Sequence, residues 1–132
     1  LLNINKMKTI KITYYATTAI ISGMMLFIAF ETLTKPEVKV SMAHLGFPDY
    51  FRIEIGISKI IGALFLWLPF RLLKEFAYFG FAIMFASASL AHFVVGDPSS
   101  KVIAGMVFLA ILITSYISYT KLQNTRVAIN NS

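Results

Sequence analysis

The sequence predicts an all-α membrane protein, a four-transmembrane-helix antiparallel up-and-down bundle. Three observations carry that prediction. Hydrophobic residues make up 58% of the 132 positions and charged residues only 14%, more apolar material than a water-facing surface hides. Four stretches approach the roughly 20 residues that a helix rising about 1.5 Å per residue needs to cross the hydrocarbon. The connections are short, which makes successive helices antiparallel neighbours. The short alternating segments of a β-barrel are absent, which excludes that class.

The elements follow in order. Residues 1–11 form a charged leader on the cytoplasmic side, and Met7 begins a conventional "MKTIK" start. The first span covers about 12–30, "ITYYATTAIISGMMLFIAF"; it is too long for a signal-peptide core and "FIAFETLTK" offers no small-x-small cleavage site, so it reads as retained. The loop "ETLTKPEVKVSMAHLGFPDYF" is long for a compact protein and therefore a place for function, with Pro36 and Pro48 keeping it from being helical throughout. The second span, about 50–70, ends at the tight basic turn "RLLKE". The third, about 76–96, ends at the turn "GDPSSK", where Ser99 or Ser100 can cap the fourth span, about 102–119. Residues 120–132 form a cytoplasmic tail, and residues 12–119 together make one four-helix membrane domain.

The formal charge of +6 does not make the chain a nucleic-acid binder, because its cations sit at the ends of apolar spans rather than along a stripe. They report orientation instead. Lys6, Lys8, Lys11, Arg71, Lys74, Lys121 and Arg126 make seven on the side of both termini, against four, Lys35, Lys39, Arg52 and Lys101, on the other. The positive-inside rule then places both termini in the cytoplasm of a bacterium, with the chain multi-pass in the inner membrane. Trp67 and Tyr14, Tyr15, Tyr116 and Tyr119 read as an aromatic belt on that same side. No cysteine is present, so disulfides, thiolate metal sites and thiol redox chemistry by this chain are excluded.

Charges inside the spans point to a site. Lys59 lies roughly 13 Å into the second helix, near the midplane, where an ionisable group is expensive and functional by default. Its stem can lift the ammonium toward the outer face. Glu54 lies about one turn in, and His92, on the third helix, falls at a similar depth. Glu54, Ser58 and Gly62 recur at i+4, and Ala82, Ala86, Ser89 and His92 follow one another at helical spacing, so two small-residue stripes are expected to face each other or the bundle centre. The candidate polar pocket is therefore Lys59, Glu54, His92, Ser58 and Ser89 in the outer half of the bundle. Glu54 and Lys59 are about 140° apart around the helix, so Lys59 needs a partner from elsewhere. A second set comprises His44 in the loop, Asp97, whose position before Pro98 also suits a turn, and Glu31 at the first helix's outer end. Glu75 opens the third helix, where a carboxylate suits the positive end of the dipole. No paired spacing such as His-x-x-x-His supports a metal site, and no nucleophile signature is present.

The stretches "HLGFPDYFRIEIGISKIIGALFLWLP" and "LKEFAYFGFAIMFASASLAHFVVGD" resemble the DoxX-like family of small bacterial membrane proteins over roughly residues 10–119. The most specific elements are "HLGFP", "GISKIIGA", "KEFAYFGF" and "AHFVVGD". The resemblance implies a four-helix membrane bundle and carries the family's polar positions onto His44, Lys59, Glu75 and His92. The family's name derives from a quinone-linked thiosulfate-oxidising complex.

Two functional classes follow, with a third beside them. One is a membrane subunit of an electron-transfer assembly, with Lys59 donating to a quinone oxygen and His92 shuttling protons, and with a redox partner subunit supplying electrons. The other is a small-molecule transporter or permeability factor, although Glu31 lies at the helix end rather than deep in helix one, where the four-helix multidrug exporters hold their carboxylate. The third is a non-catalytic scaffold whose polar residues only specify packing; the lipid bilayer, and further copies of the chain in a homo-oligomer, are expected partners.

Overall fold

In the computed structural model, which describes residues 4–131, the chain is helical almost throughout. Five helices follow in order: α1 (Ile4–Thr34), α2 (Pro36–His44), α3 (Asp49–Trp67), α4 (Arg71–Val94) and α5 (Ser99–Asn130). The four long helices close a ring in which α1 packs on α3 and α5, and α4 packs on the same two. The short α2 caps the α1–α3 connection and touches both. One end of the bundle carries the α3–α4 turn with the starts of α1 and α4. The far end carries α2 and the α4–α5 turn.

Helices α1 and α5 overrun the expected spans, so most of the leader and the tail continue as helix rather than forming separate segments. Residues 1–3 of the leader lie outside the described residues. The reason for the extension is local: no proline or glycine falls between Ile4 and Ser22 or between Met106 and Asn130 to stop either helix. In the loop, Pro36 does not prevent a helix but starts one. It occupies the first turn of α2, where its missing N–H costs no hydrogen bond.

Helices α1, α4 and α5 are long and apolar enough to cross a membrane. Helix α3 has 19 residues, but Asp49, Arg52, Glu54 and Lys59 fall in its first three turns. The outer surface is that of a lipid-facing protein: Phe27, Phe30, Phe76, Phe79, Leu90 and Phe93 are all exposed. The core is built from Ile21, Met25 and Ala29 of α1, Ala63 and Leu66 of α3, Phe81 and Phe85 of α4, and Leu112 of α5. This apolar plug separates the polar groups of one end from those of the other.

Polar side chains on the termini side of the plug satisfy one another. Thr18 and Ser115 share a hydrogen bond at 3.0 Å, Tyr78 and Ser115 another at 2.8 Å, and Trp67 Nε1 donates to Ser22 Oγ at 2.9 Å. Such pairs tie α1 to α3 and α5, and α4 to α5, in a medium that supplies no competing water.

Candidate functional site

At the far end, two helices finish in the same way. Helix α2 ends in Gly46 (φ +90°) and helix α4 in Gly96 (φ +77°), both in the left-handed region that glycine enters without a Cβ penalty. In each, the glycine N–H returns to the third residue back and the next N–H to the fifth: Gly46 to Ala43 and Phe47 to Met42, Gly96 to Phe93 and Asp97 to His92. This is the Schellman arrangement, which satisfies the last carbonyls of a helix. In α4 it also brings the side chains of its two end residues together. His92 Nδ1 donates to Asp97 Oδ2 at 2.7 Å, and from the end of α2 His44 Nε2 donates to Asp97 Oδ1 at 3.0 Å.

One carboxylate thus joins an exposed imidazole to a largely buried one. The His44 side chain is 56% exposed, that of His92 23% and that of Asp97 11%. The hydrogen bonds from His92, and then from His44, hold the Asp97 carboxyl below the ordinary carboxylate range. Because the two imidazoles occupy opposite oxygens, their nitrogens do not converge. Among the described residues no group of three such side chains is placed to hold a metal ion.

Lys59 also lies toward this end. Its side chain is partly buried, and its ammonium donates to Thr32 Oγ1 at 3.4 Å, a long bond that leaves two N–H donors unused. Arg52 reaches the same residue from one side, donating to the Thr32 carbonyl at 2.5 Å while its Nε donates to Asp49 at 2.7 Å. A cation at the C-terminal carbonyls of α1 both fills an orphan acceptor and meets the negative end of the helix dipole.

The expected pocket is therefore assembled only in part. Glu54 and Ser58 are exposed, Ser58 at the edge of the α3–α4 groove with its Oγ donating to the Glu54 carbonyl. Their stripe turns inward only at Gly62, where a Cβ would meet the Phe81 ring at 2.6 Å. Ser89 is buried but serves the α4–α5 contact: its hydroxyl donates to the Val102 carbonyl, and a Cβ on Gly105 would collide with it. Glu31 pairs with Lys35 on the surface of α1. Of the second set, Asp97 holds His92 and His44 holds Asp97, while Glu75 accepts from Tyr116 at 3.1 Å.

The termini end holds a second polar centre, whose lysine the sequence marks only as one charge of a basic turn. Lys74 is 9% exposed, and its ammonium donates to Tyr14 Oη at 2.9 Å and to the Leu66 carbonyl at 2.7 Å. It lies over the rings of Tyr14 and Tyr119, 5.7 and 5.5 Å from their centroids. Tyr14 and Tyr119 are accordingly buried and face inward, whereas Tyr15 and Trp67 stay exposed and stack on each other. The signal for this was Lys74 itself, in the first turn of a helix whose next turns are apolar.

An apolar-faced helical bundle with polar groups gathered at its ends defines a helical membrane protein. The chain matches the DoxX-like family over residues 14–115, most of its length, and belongs to that family, as its motifs implied. No curated protein matches it, and no solved structure does.

Proposed function

We propose that the chain is a four-span subunit of a membrane electron-transfer assembly, and that its far end serves a quinone-like ligand. The observation that carries this reading is the His44–Asp97–His92 tie, which leads from an exposed imidazole to a largely buried one through a single carboxylate. Groups that pass one proton along such a line are what quinone chemistry requires of a protein.

Helix α3 is the fourth crossing in this reading. At about 1.5 Å per residue its 19 residues reach about 28 Å, close to the hydrocarbon thickness. Arg52 and Glu54 fall in its far-end half and Lys59 at its middle, and long cationic side chains reach the interface by snorkelling. The excess of Lys and Arg at the other end favours an orientation with both termini in the cytoplasm, in a bacterial inner membrane.

The residues present fit the ligand class. A quinone carbonyl only accepts hydrogen bonds; Lys59 keeps two unused donors, and the Nε2 edge of His92, an acceptor while Nδ1–H of the neutral ring is on Asp97, becomes a donor once the ring takes up a second proton. When bound, a quinone accepts two electrons and two protons, the electrons coming from a redox partner subunit. The chain's own part is to donate from Lys59 to the carbonyl and to hold the His92 Nδ1–H on Asp97, so that Nε2 takes up a proton from water and passes it to the ligand oxygen while the carboxylate stabilises the imidazolium.

Native mass spectrometry of the protein, extracted gently from its own membranes, tests this directly. A quinone and a redox subunit should co-purify, and Lys59→Met should lose the quinone while still inserting. A bare monomer or homodimer carrying only bulk lipid would sink the reading in favour of transport or scaffolding.

A further inference from the structure

At the termini end a cavity of about 380 Å³ opens between the start of α1, the α3–α4 turn and the last turns of α5. Its charged lining is Arg71, Lys74 and Arg126, and no carboxylate lines it. The nearest acid is Glu75, which stands outside the lining and 3.6 Å from Arg71 in an exposed pair. Lys74 uses two of its three N–H donors on Tyr14 and Leu66. Arg126 makes no hydrogen bond or ion pair among the described residues, yet it is near enough to Lys74 for the two charges to repel.

A second observation is independent of charge. Tyr119 also lines the cavity, is 2% exposed, and its hydroxyl has no hydrogen-bond partner, although the Gln123 amide is close by. Buried hydroxyls are normally paired, and an orphan beside a polar cavity marks a place where a partner belongs. Two cations without a counter-charge, a third whose only acid stands outside the cavity, one spare ammonium donor and one unpaired hydroxyl are all answered by an anion with several acceptor oxygens. Guanidinium forks favour planar or tetrahedral oxyanions over simple halides.

We infer that this cavity is a phosphate-type anion site, formed by Arg71, Lys74 and Arg126 with the Tyr119 hydroxyl at its rim. Trp67 and Tyr15, stacked at its mouth, are residues that sit at headgroup level in membranes, so the phosphate is either that of a lipid or that of a small phosphate ester in water. The site lies at the opposite end from the His44–Asp97–His92 tie and does not depend on any redox role.

The test is native mass spectrometry of the detergent-purified chain, titrated in one arm with phosphatidylglycerol against phosphatidylcholine and in the other with inorganic phosphate. Arg71→Gln with Arg126→Gln is the main variant, because both side chains reach the surface and the fold does not rest on them. Tyr119→Phe is the second, since it removes only the orphan oxygen. Retention of phosphatidylglycerol over phosphatidylcholine, reduced about tenfold or more in the arginine double variant and severalfold in Tyr119→Phe, is the expected result and assigns a lipid source. Saturable phosphate binding with the same losses, and no lipid preference, supports the site with a free phosphate ester as its source. No selective binding in either arm, or binding that the arginine double variant leaves unchanged, overturns the inference.

Discussion

The two ends of the bundle hold their charges in opposite ways. At the far end, the most enclosed charged groups are paired: Asp97 lies between His44 and His92, and Arg52 lies between Asp49 and the end of α1. At the termini end Lys74 is buried against neutral oxygens and tyrosine rings, and in the same cavity Arg126 has no acid while Arg71 has only the exposed Glu75 outside it. The difference teaches what each can do. A set of groups that share their charge through hydrogen bonds loses little when one member is weakened. A buried cation on neutral partners is part of the packing, and what balances it must come from outside the chain.

The comparison breaks most visibly at Lys74. Lys74→Met removes the donor to Tyr14 and to the Leu66 carbonyl and leaves both acceptors buried, so unfolding in detergent should be easier by about 2–3 kcal/mol. Lys59→Met, which gives up one long hydrogen bond to Thr32, should cost less than about 1 kcal/mol in the same assay. Equal losses at the two positions would show that the two lysines are held alike and would erase the distinction. Between these lies Gly96→Ala. A Cβ there meets nothing within 4 Å, so its cost is the left-handed backbone alone, about 1–2 kcal/mol. That substitution should also loosen His92 from Asp97, seen as faster hydrogen exchange at the end of α4 with the termini end unaffected.

Much of this was legible in the sequence, and what was not has identifiable causes. The long helices follow from composition and run length, and the far-end groups His44, Asp97 and His92 were all singled out. Their joining was also within reach, because a histidine and an aspartate five apart around a helix-ending glycine stand at the third-last and second-following positions of a Schellman motif. The exposure of Glu54 and Ser58 was not legible, because an i+4 stripe fixes a common face but not how deeply the bundle covers it. The termini-end centre was legible only in Lys74, for another reason. Lys74, Tyr14 and Tyr119 come from three helices, and residues that look like a basic turn and an aromatic belt converge only once the ring of helices is closed.

The smallest expected effect concerns acid, and its sign follows from Asp97. A carboxyl held below its ordinary range contributes to stability at pH values above that range, and the contribution is lost as the pH falls through the depressed value. Acidification should therefore release His44 from Asp97 and with it α2, whose contacts to α1 and α3 are few. Because the chain has no cysteine, a spin label on Ser41→Cys reads the mobility of α2 alone. Its mobility should rise at low pH in the parent, whereas in Asp97→Asn it should already be raised at neutral pH and change little with acid. A label on Gln123→Cys at the other end gives the contrast, since no carboxylate lines that cavity. If both labels respond alike to acid, and Asp97→Asn alters neither, the paired groups of the far end are not what fastens α2, and the two ends differ only in composition.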